Sequence, residues 1–101
     1  MDNLVRIKRL VLQGHILFTK KAEIEMDIDS LDVDMVCEAI INAPAISKTL
    51  RSVNPGTGKK EQLFVIVGLT YQDLPIYTKG KLLNQGNQEI FYVLISSKRS
   101  V

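Results

Sequence analysis

One cysteine, one histidine and no tryptophan occur among 101 residues. The single thiol, Cys37, excludes an internal disulfide framework and any multi-cysteine zinc site. With His15 the only imidazole, a structural zinc site, which needs about four ligands, has no donor set. Six glycines and three prolines are too few for a disordered or collagen-like chain. No apolar run approaches the ~18 residues of a membrane span, and the N-terminus alternates charged and apolar residues where a signal peptide is uniformly apolar. A reducing, cytoplasmic location is therefore expected.

The remaining composition is that of a globular protein, 46% apolar and 24% charged. Residues 1–101 make one domain's length, enough to close a modest core without covalent staples. The net charge of +2 hides a sorting by segment. Residues 1–21 carry Arg6, Lys8, Arg9, Lys20 and Lys21 against Asp2. Residues 22–47 carry seven carboxylates and no lysine or arginine, and residues 48–101 return to a basic excess. Such sorting fits a protein with one side facing a polyanion and an acidic back.

Hydrophobic periodicity predicts three helices. Leu4, Ile7, Leu10 and Val11 share a face before Gly14 stops the first. His15 to Phe18 reads as a short extended piece, and Thr19 as the N-cap of a second helix through about Met26. Asp32 caps a third, with Val33, Val36, Cys37, Ile40 and Ile41 on one stripe, ending near Asn42 because Pro44 biases Ala43 away from helical geometry. From Ala45 the period becomes that of strands: Ile46–Val53, Gln62–Leu69, Ile76–Leu83 and Glu89–Ser97, with Asn54–Lys60 a hairpin loop. Helices followed by hairpin-connected strands define an α+β class, with N-terminal helices packed on a four-stranded or slightly larger antiparallel sheet.

Few motifs survive inspection. Asn54-Pro-Gly-Thr-Gly-Lys-Lys60 has the composition of a phosphate loop but neither its spacing nor its strand-to-helix setting, so it reads as a turn. Cys37, Met26 and Met35 read as core or near-core, and His15 as an exposed loop residue. The acidic stretch has no calcium-loop spacing and reads as a solvated helical surface. What remains is a set of basic and aromatic residues on strands: Lys48 and Arg51 on the first, Tyr77 and Lys79 on the third, Lys98 and Arg99 ending the fourth. Residues i and i+2 of a strand share a face, so Tyr77 and Lys79 point the same way, and strands about 4.8 Å apart would gather such groups into one cationic surface. Lysines on a sheet face also serve simply to keep edges from aggregating.

The runs Ile7-Lys-Arg-Leu-Val-Leu-Gln-Gly14, Phe18-Thr-Lys-Lys-Ala22, Ser30-Leu-Asp-Val-Asp-Met-Val-Cys-Glu-Ala-Ile-Ile41 and Ser47-Lys48-Thr, in that order, resemble the helical half of MqsR-type toxins. These are ribonuclease toxins of bacterial type II toxin-antitoxin systems, with a RelE-like architecture. Ile76-Tyr77-Thr-Lys79 is similar to the family's Tyr-x-Lys strand, and Val93-Leu-Ile-Ser-Ser-Lys98-Arg to its last strand. The resemblance implies catalytic roles for Lys48, Tyr77 and Lys98. The family's glutamine on the preceding strand has no match in Leu63-Phe-Val-Ile-Val, and Gln62 is the nearest candidate. It further implies an mRNA interferase that needs no metal or cofactor and cleaves single-stranded RNA. The implied partner is a cognate antitoxin, a DNA-binding protein that often carries a small zinc-binding portion.

Such cleavage requires a base for the 2'-hydroxyl proton, cations for the charged phosphorane and an acid for the leaving 5'-oxygen. Lys48 and Lys98 are expected to stabilise charge, one of them also moving a proton. Tyr77 is expected to transfer a second proton or orient the substrate, while Arg51, Lys79 and Arg99 hold flanking phosphates. Fold does not fix function, so two other readings stand beside this one: a non-enzymatic toxin of the gyrase-inhibitor type, and a catalytically silent RNA-binding domain.

Overall fold

A computed structural model describes residues 2–101. Three helices come first: α1 (Asn3–Leu12), α2 (Lys20–Ile28) and α3 (Val33–Asn42), with a short strand β1 (Ile16–Phe18) between the first two. Four strands follow: β2 (Lys48–Val53), β3 (Lys60–Leu69), β4 (Pro75–Gln85) and β5 (Gln88–Arg99). Each helix opens on a side-chain cap. Asp2, Thr19 and Asp32 accept hydrogen bonds from the amides of Val5, Ala22 and Met35, satisfying donors that a helix start leaves without partners. Gly14, at φ +77°, turns the chain out of α1, and α3 ends at Ala43, whose extended backbone is what Pro44 demands.

The strands form one five-stranded sheet in the order β1-β5-β4-β3-β2. All neighbours are antiparallel except β1 and β5, which run parallel. The sheet is therefore mixed and one strand larger than the four hairpin strands. The residues His15 to Phe18 read as extended supply β1, and its partner β5 is consequently internal, as its apolar sequence suits.

Alternation along the strands assigns two faces. Phe64 and Ile66 of β3, Ile76 of β4, and Tyr92 and Leu94 of β5 point toward the helices and are buried with Ile7, Met26, Val36 and Ile40. Two glycines permit this packing. A Cβ on Gly68 would lie 1.8 Å from the Ala39 carbonyl oxygen, so α3 rests directly on the β3 backbone. A Cβ on Gly80 would lie 2.6 Å from the Tyr92 ring, which occupies the place a side chain would take.

The acidic stretch does more than solvate the helices. Glu25 of α2 accepts hydrogen bonds from Ser96 Oγ (2.7 Å) and the Ser97 amide (3.2 Å), and Asp29 accepts from the Arg99 amide (2.8 Å). Glu38 of α3 accepts from the Tyr71 amide at 3.1 Å. These carboxylates pin helices to strand ends. The opposite face of the sheet carries no helix.

Candidate functional site

The helix-free face is built by odd-numbered residues of β3 and β4 and the residues paired with them. Register places Lys48, Val65 and Lys79 in one row across β2, β3 and β4, ending on β5 at the buried Ser96, whose hydroxyl is held by Glu25 of α2, and Val67, Tyr77 and Lys98 in the next. Directly paired residues point to the same side. Lys48 and Lys79 thus flank Val65 at about 10 Å from each other, two strand spacings apart. Lys98 lies across from Tyr77, its Nζ 5.4 Å from the ring centroid, within cation–π range.

Val65 is only 6% exposed. Its row neighbours Lys48 and Lys79 have long methylene stems of the kind that cover an apolar neighbour while the charge stays in water. The face therefore combines an apolar floor (Leu63, Val65, Val67) with cations around one phenol.

Few anions offset that charge. The ion pairs among the described residues are Arg6–Glu89 at 3.5 Å and Lys81–Glu61 at 3.1 Å. Glu61, the carboxylate on the strand positions of this face, is thus taken by Lys81, and bonds to Asn54 and Lys81 hold its carboxyl below the usual carboxylate range. Lys48, Lys79 and Lys98 have no such partner.

The structure brings four of the seven expected residues together and separates three. Arg51 and Gln62 are register partners, but they share parity with Phe64 and so point to the helix side. Arg99 pairs with the buried Ile76 and donates through Nε to the Asp29 carbonyl at 3.2 Å. It fastens the end of β5 to α2, which fixes the backbone that carries Lys98. A bulge at Ile95, where the register shifts between Lys79 and Gly80, reverses the facing of the last strand and puts Lys98 on Tyr77's side. That bulge is invisible to simple alternation from Tyr92.

Cys37 is half-buried against the core, and burial together with Asp34 and Glu38 pushes its thiol up, which disfavours the nucleophilic thiolate. His15 is exposed, its ring tilted against Phe91. Asn54–Lys59 is a closed hairpin turn: Asn54 accepts the Gly56 amide on its side chain and exchanges backbone bonds with Gly58 and Lys59. No group of three or more His, Cys, Asp or Glu that could hold a metal ion occurs among the described residues. None of their helices is long and apolar enough to cross a membrane.

Comparison of the chain with protein-family models, curated proteins and solved structures finds no match.

Proposed function

We propose that this protein is a metal-independent endoribonuclease toxin that arrests growth by cutting single-stranded RNA in the cytoplasm, held in check by a cognate antitoxin. One observation carries the reading: Tyr77 and Lys98 face each other across β4 and β5, with Lys79 and Lys48 in the adjoining row and none of the three lysines in an ion pair. The resemblance of the chain to MqsR-type toxins adds the reaction class.

In the proposed reaction the 2'-oxygen attacks the adjacent phosphorus and the bond to the 5'-oxygen breaks. The products are a 2',3'-cyclic phosphate and a 5'-hydroxyl. The 2'-hydroxyl proton leaves to a side-chain base and a second proton reaches the departing oxygen. Lys48 and Lys98 would offset the charge that grows on the phosphorane, and Tyr77, within reach of Lys98, would carry one proton or hold the nucleotide. Lys79 would bind the neighbouring phosphate. Gln62 and Arg51 have no part in this assignment, because they lie on the other side of the sheet.

That absence favours a second reading, RNA binding without cleavage, since the face then offers cations and a stacking ring but fewer groups for chemistry. Incubating the protein with a defined single-stranded RNA in EDTA, beside Lys98→Ala and Tyr77→Phe, separates the two. Discrete cuts that both variants lose by 100-fold or more support the nuclease. Retention of intact RNA, weakened by Lys98→Ala, identifies a binding module, and cleavage undiminished in both variants refutes the site.

A further inference from the structure

On the helical side, an apolar groove runs from the C-terminal end of α1 past β1 and along α3. It consists of two adjoining depressions of about 740 and 620 Å³ that share Ile16, Phe18 and Val33 as a common wall. Leu12, Ile41 and Tyr71 extend the apolar lining at one end, and Met26 and Leu31 at the other. Leu12 and Tyr71 are 75% and 74% exposed, and Val33 46%. Side chains of this size left open in one contiguous strip mark a contact surface, whereas scattered ones do not.

The rim gives the occupant its charge. Glu23, Asp27 and Asp32 border one depression, and Asp34 and Glu38 the other. No lysine or arginine lines either, and neither ion pair among the described residues involves these five carboxylates. Asp32 and Glu38 accept backbone amides, which orients them without cancelling their charge. An apolar strip bordered by five unneutralised carboxylates complements a segment with an apolar stripe between cations.

We propose that this groove docks a basic amphipathic helix of a partner protein, its apolar stripe on Val33, Phe18 and Leu12 and its lysines or arginines against the carboxylate rim. A helix fits better than an added strand, because β1 offers an edge of only three residues and much of the apolar wall comes from α1 and α3. This inference is independent of the function proposed for the sheet face, which lies on the other side of the sheet.

The test uses the full chain and two synthetic helical peptides of about 16 residues, each with leucines at i, i+3, i+4 and i+7. One carries lysines on its polar face and the other glutamates. Fluorescence anisotropy near physiological salt is expected to show binding of the lysine peptide and none of the glutamate peptide. Leu12→Ser with Tyr71→Ser, two exposed positions, should weaken binding at least tenfold, as should Asp34→Asn with Glu38→Gln, while circular dichroism stays unchanged. Cys37, the only thiol, lines the groove and should become less accessible to a thiol reagent when the peptide binds. The proposal is overturned if the lysine peptide does not bind, if both peptides bind alike, or if neither double variant weakens binding. Self-association of the chain that the double variants abolish would likewise overturn it, by naming a second copy as the occupant.

Discussion

Tyr92 illustrates how a single residue can be both necessary and imperfect. Its ring fills the space over Gly80, yet its buried hydroxyl has no hydrogen-bond partner. Burial alone raises its pKa far above the ordinary phenol value, so the group stays neutral and simply loses its hydration. A buried hydroxyl without a partner costs about 1–3 kcal/mol. Tyr92→Phe should therefore stabilise the fold by about 1 kcal/mol, read as a higher midpoint of urea unfolding with the same slope; a lower midpoint would mean that the hydroxyl is satisfied. Gly68 is the opposite case. With the Ala39 carbonyl oxygen 1.8 Å from where its Cβ would sit, Gly68→Ala must lift α3 from the sheet, a loss of about 3 kcal/mol for overpacking against backbone. Neither constraint was legible in the sequence, where both glycines sit inside strand patterns with nothing to say what approaches them. Cys37 was legible, because helical spacing alone places it on the apolar stripe of α3, and Met26 reads as core or near-core from its residue type.

At the level of elements, the hairpin β2–β3 splits from β4 beyond Phe64, where the β3–β4 register ends. Glu61 closes the split by accepting from Lys81 of β4 and from Asn54 of the turn. A carboxyl whose folded-state pKa is depressed contributes stability above its unfolded pKa and loses it as pH falls through the folded pKa. The hairpin should accordingly loosen only under acid conditions below the usual carboxylate range. Amide exchange in residues 54–60 should accelerate there in the native protein, and Glu61→Gln should show the faster exchange already at neutral pH. The helices and their caps at Thr19 and Asp32 could be read from spacing and capping chemistry, as could the stop before Pro44. The parallel partnership of β1 with β5 could not, since the three residues read as extended carry too little pattern to name a partner. The bulge at Ile95 was equally hidden. Strand parity identified Tyr77 and Lys79 as neighbours, but only the observed register joins Lys98 to Tyr77.

Across the whole molecule, Lys48, Lys79 and Lys98 of the basic C-terminal segment lie on the bare sheet, while the carboxylates of residues 22–47 share the helical back with the bases of α1 and α2. If Lys48, Lys79 and Lys98 each displace one counterion from single-stranded RNA, the logarithm of affinity should fall with that of salt at a slope of about −2, and Lys79→Ala should reduce it by about 0.7. Binding insensitive to salt would refute a phosphate-contacting face. The α+β class followed from the sequence because the helical period gives way to the strand period once, near Ala45. The strand order was beyond it, and that order governs how the chain assembles. β5 is the last of the eight elements along the chain yet sits inside the sheet, between β1 and β4. Neither β1 nor the acidic anchors of α2 can engage until a strand some seventy residues further on is in place. Closing so long a loop precedes the contacts that reward it, so folding should be slow for a domain of this size and concerted between its two ends. During synthesis the helices wait, partly unsupported, for the strand that completes them.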